Sequence, residues 1–171
     1  MKQLNQPALR RILRKSYSAE MAAAFAYIGR AGSLPRGEDK ASIRQIELDE
    51  CEHRENLREI MRRYDLPFSR FYEFKYALVG KLIGYSCSLI DRFIPYFFAG
   101  ELESGNVCEY FVMIHYFHAF GITEHDEILY EMGMKEKAHE VFFQEMIRDA
   151  KWRSLFERVF SWGAETTLND V

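Results

Sequence analysis

The pattern Glu-x-x-His occurs twice in this chain, as Glu50 to His53 within IELDECEHRENL and as Glu136 to His139 within MGMKEKAHEVFF. Both segments have the apolar spacing of an α-helix, and residues three apart in a helix point the same way. Each motif therefore places a carboxylate and an imidazole on one helix face. One such motif is a common coincidence, but two of them predict a pair of metal-ligating helices.

Apolar residues recur at helical spacing over most of the chain. The four main predicted helices cover about 5–31, 37–64, 92–120 and 123–150, with Thr123 and Asp126 resembling a capping box at the start of the fourth. A further helical stretch, Phe71 to Ile90, is interpreted as a crossover between helices two and three. No alternating run or Asn-Gly turn predicts a strand, so the predicted fold class is all-α.

Each motif is preceded by another acid in an apolar helical stretch. Glu20 stands 30 residues before Glu50 among small residues, which leave room for metal ions beside a buried carboxylate. On helix three, a rotation of about 100° per residue places Glu103 on the apolar stripe and Glu109 on the other side. A lone buried carboxylate costs several kcal/mol, so Glu103 is the predicted ligand and Glu109 is the alternative.

The predicted ligands are four carboxylates and two imidazoles: Glu20, Glu50, His53, Glu103, Glu136 and His139. A Glu from each of two helices and a Glu-x-x-His from each of two others is the pattern of a dimetal four-helix bundle. Hard oxygen ligands with two nitrogens suit two iron ions, with manganese as the alternative, whereas structural zinc would favour thiolates. Tyr27 and Tyr110, which follow Glu20 and Glu103 by seven residues, are the predicted catalytic donors of hydrogen bonds or electrons.

Composition limits the partners and the cellular location that can be expected of this chain. A net charge of −3 in 171 residues gives no reason to expect a nucleic-acid partner. Three cysteines without a CxxC pair predict reduced thiols in a cytoplasmic protein. The most apolar stretch, 77–100, contains charged residues and a proline and is a poor membrane span, although peripheral contact with a membrane stays open. The aromatic run 93–98 is interpreted as bundle core, with an apolar substrate or lipid as the alternative ligand.

The quoted residues resemble the ferritin-like di-iron superfamily and, within it, the demethoxyubiquinone hydroxylase family. The similar segments are RILRKSYSAE ending at Glu20, the first Glu-x-x-His, Tyr64-Asp-Leu-Pro67 and Gly80-Lys-Leu-Ile-Gly84. The resemblance covers about residues 9–145. It departs at Ser16 to Ala19, where the family has Asp-His-Ala-Gly, and on helix three, where the family's Glu-x5-His-Tyr matches either Glu109 with His115 or Glu103 with the histidine lost. Without rubredoxin-type cysteine pairs, a complete rubrerythrin is excluded.

The resemblance implies a ferritin-like four-helix bundle with a helical crossover, forming a single domain over 1–171 with its core at about 5–150 and a short helix and tail at 151–171. The expected function is a di-iron oxidoreductase that activates dioxygen or peroxide and hydroxylates an apolar or quinone-like substrate, with an external electron donor. The alternatives are a ferritin- or rubrerythrin-like protein that oxidises or stores iron or scavenges peroxide, and a non-catalytic helical binding protein. Assembly of the chain into a homodimer is compatible with the sequence.

Overall fold

The computed structural model describes residues 4, 6–87, 89 and 92–162. These residues form six α-helices and no β-strand, so the predicted all-α class is confirmed. The helices are α1 (Pro7–Ser33), α2 (Glu38–Arg63), α3 (Arg70–Ser86), α4 (Phe93–His118), α5 (Asp126–Met146) and α6 (Arg153–Phe160). The last nine residues of the predicted tail lie outside the described part.

The chain divides into two compact units, one within residues 1–90 and the other within 91–171. In unit 1, α1 packs against both α2 and α3. Helix α2 ends where the sequence predicts, because Asp65 turns into the left-handed region at φ 52° and the Leu66 amide donates to the Met61 carbonyl at 2.9 Å. This bond satisfies a carbonyl at the helix end.

Helices α1 and α3 approach each other at their backbones. A Cβ atom added to Gly80 would lie 2.4 Å from the Ala22 carbonyl oxygen, and one added to Gly84 would lie 2.7 Å from the Phe25 carbonyl oxygen. Only glycine fits at such a distance. The crossover predicted from the sequence is therefore a helix held against α1 by its glycine side.

In unit 2, α4 packs against α5, and α6 covers one end of α4 with aromatic rings. The ring centroids of Phe97 and Phe156 lie 5.3 Å apart, and those of Phe93 and Phe156 lie 5.0 Å apart. Phe97 is fully buried. The aromatic run on α4 is therefore packed against the protein's own helix, as the core interpretation predicted.

The predicted capping box at the start of helix four is wrong. Helix α5 begins at Asp126 with His125 as its N-cap residue, and no side chain caps it. The Asp126 amide donates instead to the Thr123 carbonyl, so 123–126 is a turn that places His125 against Phe117, with ring centroids 4.8 Å apart. Packing of His125 thus decides where the helix starts.

Among the residues described, no helix combines the length and the apolar character needed to cross a membrane.

Candidate metal centre

Unit 1 brings three of the predicted ligands together: Glu20 from α1 with Glu50 and His53 from α2. Each of these side chains offers a ligand atom within 4.8 Å of the atoms offered by the other two. All three are buried, with at most 1% of their surface exposed. We call this group the unit 1 trio. Because α1 and α2 form a helical hairpin, residues at similar distances from its turn meet at the same level.

Unit 2 repeats the arrangement with Glu103 from α4 and with Glu136 and His139 from α5. Their ligand atoms also lie within 4.8 Å of one another, and we call them the unit 2 trio. The His139 Nδ1 atom is 4.0 Å from a Glu103 oxygen and 3.9 Å from a Glu136 oxygen. The Asn106 side chain, one turn after Glu103, donates to Glu136 at 3.4 Å.

The structure distinguishes the two candidate acids on helix three. Glu103 is 1% exposed and belongs to the unit 2 trio. Glu109 is only partly buried and is not in either group of clustered ligand atoms found among the described residues. The apolar-stripe argument therefore selected the acid that lies beside His139.

The donor set of each trio fits a divalent cation. Two carboxylates and one imidazole supply hard oxygen and nitrogen atoms, which suit iron or manganese. Ionised carboxylates that are buried this close together repel each other and lose their hydration, and a bound divalent cation offsets both costs. Each trio could therefore hold a metal ion.

A polar network adjoins the unit 1 trio. The Ser18 hydroxyl donates to Glu73 at 2.6 Å, and Arg54 donates to the other Glu73 oxygen at 2.6 Å. Arg54 also donates to the Tyr17 carbonyl at 2.9 Å and lies over the Tyr17 ring. We call these four residues the Glu73 network. Since Ser18 is two residues from Glu20 and Arg54 follows His53, the network ties α3 to both ligand-bearing helices.

A different support stands beside the unit 2 trio. Glu140, the residue after His139, is fully buried. It accepts hydrogen bonds from Lys137 at 2.8 Å, from the Trp162 indole at 3.2 Å and from Gln144 at 3.4 Å. The Trp162 ring also packs against Phe97, with centroids 4.9 Å apart. These contacts join the ligand helix α5 to the residues that follow α6.

Sequence reasoning missed Glu73, Glu140 and Trp162. Glu140 carries a signal, because a lone acid directly after a ligand histidine on a buried helix requires a partner. The sequence carries no such signal for Glu73, because its contacts with Ser18 and Arg54 depend on α3 lying beside α1 and α2.

The predicted catalytic tyrosines are both buried, with Tyr27 6% and Tyr110 1% exposed. They lie on α1 and α4, two turns after Glu20 and Glu103 respectively. Their catalytic role stays a prediction. Of the histidines outside the trios, His118 is exposed and lies 2.7 Å from Asp126.

The three cysteines, Cys51, Cys87 and Cys108, are free thiols. Burial raises the pKa of Cys87, although Arg30 opposes the effect. Desolvation and the nearby Glu47 carboxylate raise the pKa of Cys51, against the opposing effect of Arg54. Both shifts disfavour the thiolate, which is the reactive form of cysteine.

No family model matches this chain, and comparisons with curated proteins and with solved structures find no match either. What the site can do chemically therefore follows from the two trios and their surroundings.

Proposed function

We propose that this chain is a di-iron oxidoreductase that uses dioxygen or peroxide, with three protein ligands for iron from each unit. The observation that carries the proposal is that both Glu-x-x-His motifs are buried and that each has a further glutamate from a neighbouring helix within ligand distance. The two motifs with their accompanying acids form the ligand pattern of dimetal carboxylate proteins. Manganese is the alternative metal.

Each kind of residue at the site would have its own role. Glutamate carboxylates bind through one or two oxygens, which lets Glu20, Glu50, Glu103 and Glu136 adapt as the charge at the site changes. The two imidazoles anchor the ions from α2 and α5. The buried phenols of Tyr27 and Tyr110 would donate hydrogen bonds or electrons. Ferrous iron, when bound, would supply the redox chemistry with dioxygen or peroxide.

Burial also bears on the substrate. The trios are buried, so an oxidising species formed there would be kept from water, and an apolar substrate would lose less hydration than a polar one on entering. We propose that the protein hydroxylates an apolar, quinone-like molecule. The electrons would come from an external donor, because the sequence has no Gly-x-Gly-x-x-Gly fingerprint for a nucleotide cofactor.

Anaerobic loading with ferrous iron tests the proposal. We expect two irons per chain and a new near-ultraviolet absorption band after dioxygen or peroxide is added. A protein that binds no iron, or whose ferrous form reacts with neither oxidant, would refute the di-iron assignment. Manganese loading in parallel decides between the two metals.

The same preparation separates the other two functions. Uptake of many more than two irons per chain into a large closed assembly would indicate iron storage. If Glu20→Ala and Glu136→Ala leave iron uptake unchanged and stabilise the protein, the bundle is a binding module without metal chemistry. Under the di-iron proposal, both variants lose iron.

A further inference from the structure

Positive charge is concentrated in unit 1. Residues 1–90 contain 16 lysines and arginines against 11 acids, whereas residues 91–171 contain 7 against 15. Unit 1 therefore has a net charge of +5 in a chain whose net charge is −3. Charge that is gathered on one surface attracts partners of the opposite sign from a distance.

Three helix ends meet in this unit. The loop after α2 folds back onto the first turns of α1, where the Arg14 side chain donates to the Pro67 carbonyl at 2.8 Å. The Tyr17 and Phe68 rings stack there with centroids 5.7 Å apart. These contacts bring the end of α2 and the start of α3 against the start of α1.

Seven cations lie on these helix ends, and we call them the basic end. Helix α1 contributes Arg10, Arg11, Arg14 and Lys15, and the other two helices contribute Arg62, Arg63 and Arg70. Two of them, Arg10 and Arg14, are half-buried, and the other five are exposed.

Few acids offset the basic end. Residues 7–17 contain no acid, and residues 54–73 contain four. Glu55 and Glu73 are in ion pairs with arginines that do not belong to the basic end. Glu59 and Asp65 are the other two, so seven cations stand against two acids, and the positive excess of unit 1 lies here.

Helix stability does not explain two of these cations. A helix N-terminus carries partial positive charge and favours acids. Arg10 nevertheless lies in the first turn of α1, which contains no acid, and Arg70 is the first residue of α3. Cations placed against the preference of two helices indicate a negatively charged partner.

The basic end adjoins the unit 1 trio. Arg14 and Glu20 are six residues apart on α1, which is about 9 Å along the helix axis. Tyr17 lies between them, on the same face as Glu20. A partner bound at the basic end would therefore lie near the proposed metal ligands.

We propose that the basic end is the docking surface for an acidic electron-carrier protein. The inference rests on the proposed di-iron function, because it identifies the class of external donor. At each encounter the carrier loses one electron and ferric iron held by the ligands becomes ferrous, with no bond formed or broken. Electron-transfer complexes bury little surface, so attraction between opposite charges contributes strongly to their formation.

The arrangement of the cations favours a compact protein partner. On α1 alone they span an arc of about 140°, so they surround the end of the helical hairpin. A lipid bilayer would require cations that lie in one plane, and a nucleic acid would require a stripe of them along its phosphates. An acidic protein surface can contact cations from several helix ends at once.

Fluorescence anisotropy of labelled acidic carriers, added to the full-length iron-free protein, tests the inference. The probes are a [2Fe–2S] ferredoxin and a flavodoxin, both of net negative charge, with the positively charged cytochrome c as the control carrier. We expect both acidic carriers to bind in low salt, at least about tenfold weaker binding in about 0.5 M salt, and no binding of cytochrome c. Arg11→Gln/Arg62→Gln/Arg70→Gln should weaken binding at least about tenfold in low salt.

A matched control removes three exposed cations elsewhere in unit 1. Arg36, Arg44 and Lys81 are exposed and lie outside the three helix ends. Arg36→Gln/Arg44→Gln/Lys81→Gln changes the net charge by the same amount and should bind the carriers like the unmodified protein. Circular dichroism should show the same helix content for both variants, since glutamine is a good helix former.

Stopped-flow reduction of the iron-loaded, oxidised protein tests the electron transfer. Reduced ferredoxin should react at least about tenfold more slowly with the basic-end variant in low salt, whereas the small reductant dithionite should react with both proteins at the same rate. Equal slowing with both reductants would contradict a docking role.

Three further results would overturn the inference. One is that neither acidic carrier binds the unmodified protein. The second is that the control variant loses as much binding as the basic-end variant. The third is binding of anionic vesicles or single-stranded DNA without binding of either carrier. Loss of carrier binding with normal iron loading would refute this inference alone, whereas failure to load iron would refute the proposed function and the electron transfer with it.

Discussion

The two units carry the same set of candidate metal ligands but support it differently. In unit 1 the trio Glu20, Glu50 and His53 is flanked by the Glu73 network, in which an ion pair and hydrogen bonds join three helices. In unit 2 the trio adjoins buried Glu140, which is bound by Lys137 and by the indole of Trp162. Close packing of glycines together with a charge pair holds the third helix of unit 1, whereas aromatic packing holds the third helix of unit 2.

The comparison shows that the Glu-x-x-His motif does not determine which neighbouring residues stabilise it. A Glu-x-x-His motif requires only that its helix face be buried next to another carboxylate. Any rigid element that orients the two ligand-bearing helices is sufficient. Unit 1 uses polar contacts for this purpose, and unit 2 uses aromatic contacts. Removing the supporting side chains should therefore lower the free energy of unfolding by different amounts in the two units.

The largest effect should come from the ligand histidines. We expect His53→Ala and His139→Ala each to weaken iron binding by more than about 100-fold, since loss of an outer hydrogen-bond partner alone costs 10–100-fold. Iron per chain after anaerobic loading and desalting is the measurement. If the units bind a coupled pair of ions, either variant loses both; loss of one ion per variant would show two independent sites. The exposed His118 supplies the control, as His118→Ala.

Next in size is removal of the Trp162 side chain. Trp162→Ala should lower the free energy of unfolding by about 3–5 kcal/mol, because a buried aromatic ring is lost and Glu140 loses its indole donor. Urea denaturation measures the change. Trp152→Ala, at a 56% exposed tryptophan, should change stability by less than about 0.5 kcal/mol. Equal effects would mean that aromatic packing does not hold unit 2.

The helix contact in unit 1 can be tested with two glycines. Gly80→Ala should destabilise the protein by about 1–3 kcal/mol, because the added methyl group meets the α1 backbone. Gly105→Ala should stabilise it by up to about 1 kcal/mol, since nothing lies within 4 Å of the added carbon. Thermal unfolding of both variants measures the difference, and a stabilised Gly80→Ala variant would contradict the close contact of α1 and α3.

The smallest effect should come from the ion pair of the Glu73 network. Glu73→Gln should cost about 1–2 kcal/mol, because Arg54 loses a charged partner while both side chains stay about one-quarter exposed. Glu55→Gln, which breaks the exposed pair with Arg58, should cost less than about 0.5 kcal/mol. Chemical denaturation in low and high salt measures both costs. Identical costs would mean that the Glu73 ion pair stabilises unit 1 no more than an exposed surface pair does.

Much of the fold could be predicted from local pattern. Helical spacing with proline and glycine punctuation located every helix to within a few residues, because these signals depend on neighbours along the chain. Glu103 was preferred over Glu109 by helix rotation alone. The start of α5 was misplaced, because burial of His125 against Phe117 overrides the weak capping signal of Thr123.

By itself, the sequence determined that the Glu and the His of each Glu-x-x-His motif share one face of their helix, since a helix has a fixed rotation per residue. Only the tertiary structure decided that Glu73 and Trp162 support the two trios, that the glycine side of α3 packs against α1 and that the aromatic run of α4 points inward. Those outcomes depend on how closely helices approach and how each is rotated about its axis. Contacts between residues far apart in the chain, such as Gly80 with Ala22, determine both.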